Sequence, residues 1–190
     1  MSFVNAKNLS SPLILFYKGE SSTITSHPGK KGYLIDEIYN WDFERLEYVH
    51  DYIQWLFPLA ERSAFNLDAP VLTDEDIECF KNDEDLKTNV LKSFKLMMKF
   101  YGFDCDDSRG SVSLKKSNNF QERSKNWLTI KNHNHLRITR ILKSLTLLGL
   151  NRYALAFFNI LNELYQDYKQ EISTCSYNYW KEAAQISIDR

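Results

Sequence analysis

The sequence predicts an all-α fold, a compact bundle of about seven to eight helices forming a single domain over residues 1–190. Three observations lead there. Apolar residues recur at three- and four-residue spacing in segment after segment, most plainly over 84–101, 133–149 and 151–168. Start and stop residues bracket these segments, with Ser, Thr, Asp or Asn in front and Gly or Pro behind. Strand-like alternation is scarce, apart from "SVSLK" at 111–115.

In chain order, Ser11-Pro12 caps a short helix, "LILFYK", which Gly19 stops, because proline suits a first helical turn and glycine an exit. The Ser/Thr/Gly/Pro-rich run 19–32 is a polar loop, expected to be weakly ordered, and "YLIDEIY" is a short helix after it. Asp42 caps a helix expected to run to about Phe57, with Leu46, Val49, Ile53 and Leu56 on its apolar face. Glu47, Asp51 and Gln54 share another face of that helix, and Pro58 ends it by excluding the residue before it from the α region. The stretch 59–73 is an ordered loop in which Phe65 and Leu72 have the look of buried anchors. Thr73 begins "TDED", a capping box with acids in the first turn.

A longer helix is expected over 84–101, with Leu91, Phe94, Met97, Met98 and Tyr101 as its stripe and Gly102 as its stop. Residues 103–119 form a second polar loop, and a helix follows over about 120–130. Asn132 caps the next helix, whose broad apolar face is Leu136 or Ile138, Ile141, Leu142, Leu145 and Leu148; Gly149 ends it. Asn151 caps a strongly amphipathic helix to about Tyr168, and a last helix covers about 175–186.

Composition removes several function classes. A chain that is 43% apolar and 14% aromatic packs a core rather than staying disordered. A net charge of −1 provides no global field to recruit nucleic acid, and a nucleic-acid partner is not expected. Cys79, Cys105 and Cys175 are odd in number and far apart, which argues for reduced thiols in a cytoplasmic protein, without a disulfide framework or a zinc site. No run approaches the roughly 18–20 apolar residues of a membrane span, and "PLILFY" is too short for a secretory leader. The common phosphate-loop, zinc-protease, serine-hydrolase, kinase and dinucleotide motifs are absent, and no cofactor is expected.

Two clusters concentrate chemistry. In "HDYIQWLFP", His50 stands at the border of the apolar stripe, with Gln54 and Trp55 one turn on. Such a histidine is either a base or ligand-orienting donor, or a core-edge residue satisfied by a backbone carbonyl. In "HNHLRITR", His133, Arg137 and Arg140 share a helical face near an N-terminus, a plausible seat for a carboxylate or phosphate. The alternative is that these arginines pair with acids such as Asp51 or Glu47, or lie in water. His133 and His135 point different ways on a helix, against zinc. The aromatics Phe100, Tyr101, Phe157, Phe158, Tyr177, Tyr179 and Trp180 fall at spacings that serve a core, and "YNYWKEAA" also suits a partner-binding face.

The stretches "GYLIDEIYNWDFERLE", "LEYVHDYIQWLFPLAERSAFNLDAP", "MMKFYGF" and "HNHLRITRILKSLTLLGL" occur in an order that resembles the conserved N-terminal region of the opioid growth factor receptor family, over about residues 12–165, with 166–190 as a C-terminal helical extension. The resemblance implies a receptor for an enkephalin-type growth factor, unrelated to seven-helix opioid receptors and associated peripherally with nuclear and perinuclear membranes. Family members carry long acidic or repeat-rich tails. A Lys-, Asn- and Ile-rich chain without one looks like a stand-alone microbial relative. No catalytic residue carries over from the family.

The function expected is a non-enzymatic helical domain that binds an anionic small molecule or a peptide. Its pocket would have His50, Gln54, Trp55 and Asn66 on one wall and His133, Arg137 and Arg140 on the other. The competing expectations are a small-molecule enzyme using the same His/Arg pocket, and a structural protein-interaction module.

Overall fold

The computed structural model describes residues 11–26, 31–64, 66–108 and 110–185. The tip of the first polar loop, Phe65 and the expected helix end at Ile186 lie outside the described residues. Ten α-helices and one two-stranded hairpin are present among those described. The helix count exceeds the expected one because several short segments each close a turn of their own and one expected helix divides in two.

The chain opens with α1 (Pro12–Tyr17), where the Ser11 hydroxyl accepts from the Ile14 amide and satisfies one of the open N–H groups of the first turn. The base of the first polar loop is tied down. The Thr23 amide donates to the Tyr33 carbonyl, and Ser26 donates twice to Asp68. Two short helices follow, α2 (Ile35–Tyr39) and α3 (Phe43–Tyr48), the latter capped by the Asp42 carboxylate on the Arg45 amide.

The single helix expected over 42–57 is not formed. Helix α3 ends at Tyr48, Val49 turns to extended backbone (φ −83°, ψ 133°), and a separate single-turn helix, α4 (Ile53–Leu56), begins after Tyr52. The shared face expected for Glu47, Asp51 and Gln54 therefore does not exist. The reason lies outside this segment and belongs to the site.

Helix α5 (Asp74–Asn82) begins with the full capping box of Thr73 and Asp76. Helix α6 (Glu84–Tyr101) is the central rod and buries Phe94, Met97, Met98, Phe100 and Tyr101. It stops at Gly102, whose φ of +88° is a left-handed conformation that side chains resist. Residues 103–119, expected as a loop, instead pair as β1 (Phe103–Asp106) with β2 (Ser113–Lys116), antiparallel, with Phe103 opposite Lys116. The alternation noted at 111–115 falls on the second strand. The helix expected over 120–130 is only one turn, α7 (Phe120–Arg123), continued by a tighter turn at Ser124–Asn126.

Helices α8 (Asn134–Leu147), α9 (Asn151–Asp167) and α10 (Thr174–Gln185) pack on one another as the second half of the bundle. Asn132 does accept from the Asn134 amide at the start of α8, whereas Asn151 is the first residue of α9 and caps nothing with its side chain. The core runs between α6 and the α8–α9 pair through Phe94, Tyr101, Phe103, Trp127 and Phe157, with edge-on ring contacts at 5.4–6.3 Å, the arrangement aromatic quadrupoles favour.

Candidate functional site

Helix α8 presents Arg137 and Arg140, and the residue before its first turn presents His133, toward the broken segment 49–57, as the three- and four-residue spacing requires. The two arginines do different work. Arg137 is buried. Its Nη1 donates to the Leu46 carbonyl at 3.0 Å, and its Nη2 to the carbonyls of Glu47 at 3.3 Å and Val49 at 2.9 Å. It also reaches Asn134 Oδ1 at 3.2 Å and stands 3.7 Å from the Glu47 carboxylate. These carbonyls are the open acceptors at the end of α3. The guanidinium caps that end from another helix, and the cationic charge suits the negative pole of α3. This is why the chain leaves the helix at Val49: a through-helix would turn those carbonyls back onto its own amides, and Arg137 would be buried unsatisfied.

Arg140 has a different environment. Its Nη1 donates to the Phe57 carbonyl at 3.1 Å, and among the described residues no carboxylate comes within ion-pair distance of it. Burial pushes its pKa down, partly offset by the charge of Glu61. One turn on, Lys143 Nζ donates to Glu61 at 2.7 Å.

Between these groups lies an open cavity of about 670 Å³. Ile53, Leu59 and Leu136 form its apolar walls, with the Tyr179 ring at the edge. His50, Gln54, His133, Arg137, Arg140 and Lys143 bring the polar groups, and Thr139 and Glu61 complete the lining. His50 and His133 meet edge to face, ring centroids 5.1 Å apart. His133 Nε2 also stands 3.4 Å from Glu47 Oε1. Desolvation holds the His133 pKa below the ordinary imidazole value, and the Arg137 charge adds to this, while Glu47 opposes it. The Gln54 amide, oriented with its nitrogen toward the backbone, donates to the carbonyls of His50 at 3.1 Å and Asp51 at 3.2 Å.

Five of the seven side chains read from the sequence thus line one cavity: His50, Gln54, His133, Arg137 and Arg140. Trp55 does not. It is fully buried against Phe16, centroids 5.2 Å apart, on the core side of α4. Nor does Asn66, whose side chain shapes the neighbouring loop by donating to the Asp51 carbonyl at 3.1 Å and accepting from the Asp68 amide. Lys143 carried a legible signal, since it stands three residues after Arg140 and so on the same helical face. Glu61 carried none, because it arrives from a loop, and Tyr179, read from the sequence only as part of an aromatic or partner-binding face, arrives from α10 with nothing to tie it to this cavity.

The chain matches the family described as "Opioid growth factor receptor (OGFr) conserved region" over residues 7–190. It is 44% identical over 141 residues to the opioid growth factor receptor of Rattus norvegicus, covering 73% of this chain and 23% of that protein. It is 38% identical over 149 residues to the human receptor, covering 77% and 21%. The opioid growth factor receptor-like protein 1 of Xenopus tropicalis is 44% identical over 125 residues, covering 64% and 24%. The aligned stretch is thus about a quarter of each relative's length. No solved structure matches the chain.

Proposed function

The chain belongs to the opioid growth factor receptor conserved-region family, and from that premise we propose that it is a non-enzymatic binding domain that seats the end of a peptide, apolar side chain and C-terminal carboxylate together, in the cavity between α4 and α8. The observation that carries this reading is Arg140. Buried charges are ordinarily paired, and a half-buried guanidinium with donors to spare, facing apolar walls, suits an anion joined to an apolar body. Arg137 has no such capacity, since backbone carbonyls already hold it. The cavity volume suits a side chain or two of a short peptide. The receptor's name borne by the relatives supports binding over catalysis. The setting proposed is cytoplasmic, in keeping with three unpaired cysteines. No helix among the described residues is long and apolar enough to cross a membrane.

Calorimetric titration tests the reading. The probes are an enkephalin-type pentapeptide and short peptides ending in an apolar residue, each as free acid and as C-terminal amide. The free acid of at least one is expected to bind about tenfold or more tightly than its amide, the difference a charge-assisted hydrogen bond makes. Arg140→Gln is expected to erase that difference. Equal binding of acid and amide, or none across the panel, would overturn the proposal. So would turnover of a substrate that His50→Ala abolishes in a folded protein.

A further inference from the structure

Glu61 sits three residues past Pro58, in a connection that is neither helix nor strand. Its side chain is 64% exposed, yet the carboxylate reaches into the cavity mouth and takes Lys143 Nζ at 2.7 Å. Arg140 and Lys143 stand three residues apart on α8, so two cations share one end of the cavity. Glu61 engages the second directly and reaches the first only through space. Resting on the binding reading above, we propose that Glu61 is a displaceable counter-ion: it holds the anion end of the cavity until a ligand carboxylate takes its place, and so sets how strongly the domain selects for negative charge.

The physical case has three parts. An exposed ion pair contributes little to stability, so releasing Glu61 from Lys143 costs little. A loop carboxylate moves away without disturbing a helix, because no regular backbone depends on it. An incoming carboxylate placed between Arg140 and Lys143 gains both cations where Glu61 pairs with one, and the spare donors of Arg140 give it charge-assisted hydrogen bonds. While Glu61 remains, its charge opposes every anion approaching that end.

The test uses two fluorescent probes with the same aromatic body, 8-anilinonaphthalene-1-sulfonate, which carries an anion, and N-phenyl-1-naphthylamine, which does not. Both are titrated into the full chain, into Glu61→Gln and into Arg140→Gln, with melting curves to confirm folding. The wild type is expected to prefer the anionic probe. Glu61→Gln should tighten that probe about threefold, the effect of removing one like charge near the surface, and leave the neutral probe unchanged. Unchanged or weaker binding of the anionic probe to Glu61→Gln overturns the counter-ion role. If Arg140→Gln still abolishes the preference in that case, the binding cavity stands without it. Tightening of both probes alike also overturns it, since the loop would then act on access and not on charge. Indifference of the wild type to probe charge, unaltered by Arg140→Gln, removes the binding reading and this inference with it.

Discussion

Arg137 and Arg140 are three residues apart on one face of one helix, and their roles separate because their acceptors differ. The carbonyls of Leu46, Glu47 and Val49 occupy Arg137. Replacing it with Met keeps the stem's apolar contact but strands the part-buried carbonyls of Glu47 and Val49, at a cost of ~1–3 kcal/mol each where water cannot enter, and leaves the Leu46 carbonyl with the Tyr52 hydroxyl. We expect Arg137→Met to lower the unfolding free energy by about 3 kcal/mol in urea denaturation, in the range seen when one partner of a buried charged network is removed. Arg140→Gln, by contrast, should move stability by less than about 1 kcal/mol, since it gives up one bond to Phe57 from a partly solvated site. Opposite outcomes for the two variants would reverse the division of labour drawn between them.

At the scale of elements, most ends are set locally. The hydroxyl of Ser11, the capping box at Thr73 and Asp76, and the Asp83 carboxylate on the Asp85 and Leu86 amides each satisfy open N–H groups within three residues. The end of α6 is set both locally and by tertiary contact. Gly102 takes φ +88°, and a Cβ there would lie 2.9 Å from the Phe120 Cα and 3.0 Å from the Arg123 Cβ. Its carbonyl also accepts from the Ser117 amide, which closes the hairpin back onto the helix. Gly102→Ala is expected to destabilise by about 2 kcal/mol through left-handed strain plus that close approach. Thermal melting checks this, and a variant as stable as the wild type would show that α7 yields freely. The end of α3 is the opposite case: its capping group is 88–91 residues away in sequence, on α8. Periodicity across 46–56 therefore extended one helix through a point where the chain has two.

For the whole molecule, the bundle closes around one imidazole, and a second stands at the rim of the cavity. His135 is buried between α8 and α10. Its Nε2 faces the Trp127 carbonyl at 3.0 Å, which requires that nitrogen to carry the hydrogen, and its Nδ1 faces the Ser176 hydroxyl at 3.4 Å. Burial lowers its pKa, partly countered by the bond to Trp127, and burial lowers that of His133 as well. The unfolded chain then binds more protons than the folded one once pH drops toward the ordinary imidazole value near 6.5. Stability is thus full above that value and declines as pH falls through it, levelling only below the folded-state pKa. Urea titrations between pH 7 and pH 5 should show this decline. His135→Gln, which can still donate to Trp127, should make the slope shallower even if its stability at pH 7 is lower. A flat or inverted slope in the wild type would mean these histidines are not held neutral by the fold.

What the sequence by itself determined was whatever local chemistry dictates: the helical class, most of the caps, the glycine stops, the family, and the grouping of His133, at the N-terminus of α8, with Arg137 and Arg140 on its face. Helical periodicity and capping act within a few residues, so they can be read along the chain. Only the tertiary structure decided which arginine keeps donors to spare. That depends on whether acceptors from 46–57 arrive at Arg137 or Arg140, a matter of two segments some 90 residues apart meeting at hydrogen-bond distance. The same holds for Trp55, whose position beside Gln54 could not say that α4 would begin at Ile53 and turn the indole into the core. It holds most of all for Glu61 and Tyr179, because a cavity is made by the spaces between elements, and no single segment encodes its opposite wall.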